Sequence, residues 1–119
     1  MPTDNVKLLS TFLDYSSDKG KILNQNIANT NTEGYKRRDV NFNAYLKSQM
    51  ESNLLTDNEL HFSSGNPEDR ANKVIVENEE VEIEKEMAQL AKNTLDFKFA
   101  TKKIGDYYQV MQQVIKSGG

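Results

Sequence analysis

Cysteine and tryptophan are absent from this chain, and histidine occurs once. Without cysteine there is no disulfide, no thiolate nucleophile and no cysteine-ligated zinc; the compartment stays open, because a chain bound for an oxidising space loses nothing by lacking it. His61, in "NELHFSS", has no second histidine with which to share a metal and is read as a loop residue. Apolar residues are scarce as well, 36% against 28% charged, with a mean hydropathy of -0.75. That is thin for the interior of 119 residues, so part of the chain is expected to be unpacked alone or to pack on copies and partners.

The charge of -3 provides no broad basic face, which argues against a nucleic-acid partner. No apolar run reaches the length of a bilayer span, so direct membrane insertion is not expected. The start, "MPTDNVKLLSTFLDYSSDKGK", lacks a basic segment followed by a continuous apolar one, so no cleaved secretion signal is expected. No glycine-rich phosphate loop, nucleophile elbow or paired catalytic carboxylates with a base occur, and the reading is of a protein that is not an enzyme, with no cofactor and no metal. The glutamates from Glu77 to Glu86 lack the spacing of a calcium loop and read as a solvated helix start.

What is present is helical periodicity at both ends. From Asp4 to about Asn29 the positions Val6, Leu9, Leu13, Ser16, Gly20, Leu23 and Ile27 alternate in steps of three and four, with Phe12 and Ile22 widening the stripe. Thr3 or Asp4 is placed to cap this helix, and Ser16 and Gly20 leave shallow points where another backbone can come close. From about Glu79 to Ser117, Ile83, Met87, Leu90, Thr94, Phe97, Thr101, Ile104, Tyr108, Met111 and Ile115 fill ten successive a/d-type positions, eight of them apolar or aromatic. Glutamates crowd the start of this helix while Lys98, Lys102, Lys103 and Lys116 lie toward its end, which complements the macrodipole. Gly105 inside it predicts either a kink or the close approach of another helix.

Between these helices the pattern breaks down. Asn29, Thr30, Asn31 and Thr32 can bond nearby backbone groups, Gly34 supplies a positive φ, and Tyr35 offers a ring to anchor the exit. Lys36, Arg37 and Arg38 read as a solvated basic face, or as a contact for an acidic neighbour such as another subunit's glutamates. "NFNAYLKSQM" predicts a short helix capped by Asn41, with Phe42, Tyr45, Leu46 and Met50 inward. "KVIVE" predicts a short strand, and "FSSGNPEDRAN" a loop. The expected fold is mainly α: two long terminal amphipathic helices pairing as a coiled coil, with a short helix, a small β element and loops between them. Residues 1–30 and 79–119 form one discontinuous helical assembly domain, and 31–78 a polar middle insertion, projecting and partly flexible.

"NIANTNTEGYKRRDVNF" after the first helix, with "VEIEKEMAQLAKNTLDFKFATKKIGDYYQVMQQVI" as the last, resembles the bacterial flagellar rod and hook family. Its Asn-Ile-Ala-Asn-x-x-Thr-x-Gly-Tyr signature falls on Asn26, Ile27, Ala28, Asn29, Thr32, Gly34 and Tyr35. "KRRDVNF" is similar to the continuation usual in the proximal rod branch, and the C-terminal helix lacks the Arg-Ala-Tyr-x-Ala-Asn pattern of the FlgC branch. Glu33 departs from the family, standing where a proline commonly precedes the Gly-Tyr, which leaves the turn less rigid. The resemblance covers the two terminal helices and the loop after the first.

It implies a structural subunit of the basal-body rod that polymerises through its terminal helices. The assembly seam would comprise Leu9, Leu13, Leu23 and Ile27 with Ile83, Met87, Leu90, Phe97, Ile104, Tyr108, Met111 and Ile115. The implied partners are the chain itself, other rod proteins such as FlgC and the basal adaptor FliE, and the flagellar type III export apparatus, which would carry it from the cytoplasm into the rod across the cell envelope. The alternative reading is a soluble helical adaptor or export chaperone of a secretion apparatus, binding a partner helix without polymerising.

Overall fold

The structure, a computed structural model, describes residues 2–55 and 73–118, with side chains for 5–51 and 73–118. The element order is α1 (Pro2–Ala28), β1 (Arg38–Val40), α2 (Phe42–Leu55), β2 (Val74–Val76) and α3 (Ile83–Ser117). His61 and the loop at 62–72 lie outside the described residues. The architecture is the mainly helical one expected, with α1 packed antiparallel on the first part of α3, where Asn26 meets Glu86 and Ser16 meets Asn93. Among the described residues no helix is long and apolar enough to cross a membrane.

α1 begins at Pro2, ahead of the Thr3 or Asp4 expected to cap it, and proline suits a first helical turn because its missing N–H has no intrahelical partner there. The helix ends where side chains take over its last carbonyls: Asn29 Nδ2 donates to the Gln25 carbonyl at 2.8 Å and Thr30 Oγ1 to that of Ile27 at 2.8 Å. Gly34 then takes φ 77, the left-handed turn that sends the chain into β1. β1 pairs antiparallel with β2 in the register Arg38 with Val76, Asp39 with Ile75 and Val40 with Val74. The ribbon continues past its strands, because the Glu77 N–H donates to the Arg37 carbonyl at 2.8 Å and the Arg37 N–H to that of Glu79 at 2.9 Å. With that backbone committed to the ribbon, α3 starts at Ile83 and not at Glu79.

Asn41 caps α2 as anticipated, its Oδ1 accepting from the Asn43 N–H at 3.1 Å. Tyr45 is buried and Phe42 and Leu46 half-buried, whereas Met50 is exposed, contrary to its expected inward placement. Ile22, Val40 and Tyr45 form the hydrophobic cluster, with Tyr15 and Phe42 against it. The Tyr15 and Phe42 rings stand 4.9 Å apart, centre to centre. Tyr45 donates its hydroxyl to Asp18 Oδ2 at 2.6 Å; burial first, and Asp18 second, push its pKa up. Among the described residues the apolar cluster therefore joins α1 to the middle of the chain, with β1 and α2 packed on α1 and β2 held through β1.

The seam between α1 and α3 is of another kind. Its buried members are Ser16, Leu23 and Asn26 on α1 and Glu86, Asn93 and Ala100 on α3. Gly20 allows the close approach, since a Cβ there would meet Asn93 Nδ2 at 3.2 Å. Asn93 Nδ2 donates to the Ser16 carbonyl at 2.8 Å, which ties the two backbones at the point where α1 is shallowest.

Candidate functional site

Two features of α3 stand out: a buried polar knot at its start, and apolar side chains that the rest of the described residues leave uncovered. The knot is centred on Asn26 and Arg37. Asn26 is fully buried at the end of α1 and uses its whole amide. Its Nδ2 donates to the Arg38 carbonyl at 2.8 Å and to Glu86 Oε2 at 3.1 Å. Its Oδ1 accepts from the Tyr35 hydroxyl at 2.9 Å and the Arg38 N–H at 3.0 Å. One side chain thus joins α1, the Gly34-Tyr35 turn, β1 and α3.

Arg37 completes the join. Its Nε donates to Glu86 Oε1, its Nη1 to Glu77 Oε2 at 3.0 Å and Asp39 Oδ2 at 3.1 Å, and its Nη2 to Gln89 Oε1 at 3.0 Å. Burial alone would lower the Arg37 pKa, but its hydrogen bonds to Glu86, Asp39 and Glu77 and the Glu86 charge outweigh it, so the guanidinium is held above its ordinary value. A buried charge needs a partner, and here Glu86 and Arg37 are each other's.

The basic trio is corrected by this geometry. Arg37 is buried on this chain's own carboxylates, neither solvated nor available to another subunit, while Lys36 and Arg38 are exposed. Glu77 and Glu86 likewise leave the solvated helix start and serve Arg37. Among the described residues no group of three or more His, Asp or Glu side chains is placed to hold a metal ion. Gly105 has nothing within 4 Å of where a Cβ would sit, so among the described residues no other helix approaches it, and α3 runs through it unbroken.

Of the remaining signature residues, Thr32 Oγ1 donates to Asn29 Oδ1 at 3.1 Å, Ile27 is half-buried and Ala28 exposed. Of the seam positions, Leu23 is buried and Leu9, Leu13, Ile27, Leu90 and Ile104 are half-buried. Ile83, Met87, Phe97, Tyr108, Met111 and Ile115 are exposed. The stripe that α3 turns to α1 runs through Glu86, Asn93 and Ala100, with Tyr107 half-buried next in the series. These keep the heptad spacing one residue out of phase with Met87, Thr94, Thr101 and Tyr108, a rotation of about 100°. Part of the heptad stripe, Leu90 and Ile104, thus borders the face turned to α1, while Met87, Tyr108 and Ile115 are turned away from it.

Sequence reasoning missed the buried roles of Asn26, Arg37, Glu86 and Asn93. Their signal was the second heptad series, Glu86, Asn93 and Ala100, set against the small residues Ser16 and Gly20. No family model matches the chain, and no curated relative matches it.

Proposed function

We propose that this chain is a non-enzymatic structural subunit of the bacterial flagellar rod, similar to the proximal rod protein FlgB, that polymerises through its terminal helices into the drive shaft of the motor. The observation that carries the reading is the uncovered apolar surface of α3: Met87, Tyr108, Met111 and Ile115 on the heptad stripe are all more than two-fifths exposed, and so are Leu95 and Val114 on the faces beside it. A stripe of that length is costly in water and gains from neighbours. Stability then comes in part from assembly, as in chains that complete their packing on binding.

The signature adds support, because Asn26 and Tyr35 are bonded to one another in the knot that orients α3. On this reading the partners are further copies, the rod protein FlgC and the adaptor FliE, and the subunit reaches the rod through the flagellar type III export apparatus. The test is deletion in the host cell followed by complementation with Phe97→Asp, a change at a 39% exposed position of the stripe. Loss of swimming and of basal-body rods in electron micrographs is expected. Normal swimming with Phe97→Asp contradicts the assignment of that stripe, and normal swimming of the deletion strain contradicts rod function. A discrete heterodimer of fixed stoichiometry would instead favour the adaptor reading.

A further inference from the structure

An apolar groove of about 660 Å³ lies where the end of α1 meets the start of α3, lined by Ile27, Met87, Leu90, Ala91 and Leu95. Leu95 is 68% exposed and Met87 58% exposed in it. At the other end of α3, every residue from 108 to 117 is exposed. Tyr108, Met111 and Ile115 follow one another there at steps of three and four, with Val114 beside them, a helix face about 10 Å long with no cover from the described residues of its own chain. The two ends also differ in charge: residues 77–86 hold six glutamates and one lysine, whereas the only charged residue of 108–117 is Lys116. Glu84 is exposed one turn before Met87, and Lys116 is exposed next to Ile115.

We propose that the groove is the docking site for the C-terminal turns of α3 from a second copy of this chain. Tyr108, Met111 and Ile115 enter the groove, and Lys116 of the entering end faces the exposed Glu84 beside it. A copy cannot fill its own groove, because the two sites lie about 30 Å apart on one unbroken helix. Each junction leaves one groove and one apolar end vacant at the extremities of the pair, so the contact is heterologous and does not close. This open-ended growth rests on the rod reading. Opposite charge at the two ends favours the head-to-tail encounter, and added salt weakens it.

The experiment uses the full chain with two substitutions at exposed sites, Leu95→Asp in the groove and Ile115→Asp at the apolar end, each checked for unchanged helix content by circular dichroism. Sedimentation velocity across a concentration series is expected to show wild-type oligomers that grow with concentration. Either variant alone should need about tenfold more protein, or beyond that, to associate, since each buries a charge where an aliphatic side chain docked. An equimolar mixture of the two should form a dimer and stop there, because only one intact groove meets one intact end.

A mixture that stays monomeric, a variant that grows as the wild type does, or a wild type that remains monomeric or stops at a dimer overturns the proposal. The same variants scored for swimming separate it from the rod reading. Lost docking of both variants, in a host whose deletion strain swims normally, removes the rod function and leaves the contact. Unchanged growth of both variants, in cells whose swimming requires the chain, removes the contact and leaves the rod function.

Discussion

The two ends of α3 are held by opposite means. At its start, Glu86 and Gln89 are bound by Arg37, and Asn26 bonds the same glutamate from the end of α1. At its far end Val114 and Ile115 stand more than three-fifths exposed. Polar contacts are directional, so they fix the rotation and register of one helix on another. Apolar contacts are not directional, and they gain in proportion to the area they cover. The division teaches that this chain uses its specific, buried polar groups for internal geometry and leaves much of its apolar surface unspent. A helix pair stabilised chiefly for itself would have turned the Met87 and Tyr108 stripe inward.

The comparison breaks most sharply at Arg37. Arg37→Met leaves Glu86 buried and uncompensated, and urea titration should show a loss of about 3–5 kcal/mol. Adding Glu86→Met to the same chain should recover much of it, since replacing both partners removes the unpaired charge. An unchanged urea midpoint for Arg37→Met would mean that the knot does not hold α3. Next in size, Asn26→Ala strips partners from the Arg38 backbone and Glu86, and is expected to cost about 2–3 kcal/mol. The smallest effects are a pair of opposite sign. Gly34→Ala, at φ 77, should destabilise by about 1 kcal/mol although its Cβ meets nothing. Gly105→Ala, equally unobstructed but within the exposed helix, should stabilise by a similar amount, about 1 kcal/mol. Thermal melts of the two read the difference directly.

Much of the fold was legible in the sequence. The terminal helices followed from the three-four spacing of Leu9, Leu13 and Leu23 and of Ile83 to Ile115, the cap from Asn41 and the strand from "KVIVE". The shallow points at Ser16 and Gly20 were legible as well, because small side chains on a helical stripe have few other uses. The phase of the helix pair was not. Periodicity says that a stripe seeks cover without saying what covers it, and the rotation here is set by Asn26, Arg37 and Glu86, which meet across 60 residues of chain in the Asn26–Glu86 case.

A charged run such as Lys36-Arg37-Arg38 reads as solvated until its counter-charges are placed in space. β1 escaped notice because "RDV" is three residues long, two of them charged, and gains its strand geometry from pairing with β2. The start of α3 was placed a turn early for a related reason: the ribbon takes the Glu79 carbonyl, a long-range bond invisible to local propensity.

The measurement that tests the account most directly is amide hydrogen exchange along α3 at two protein concentrations, one dilute and one at which wild-type oligomers form. The account predicts that residues 86–100, held to α1, are protected at both concentrations, while residues 108–117 exchange freely when dilute and become protected only in the oligomers. Equal protection along the whole helix, independent of concentration, would contradict it.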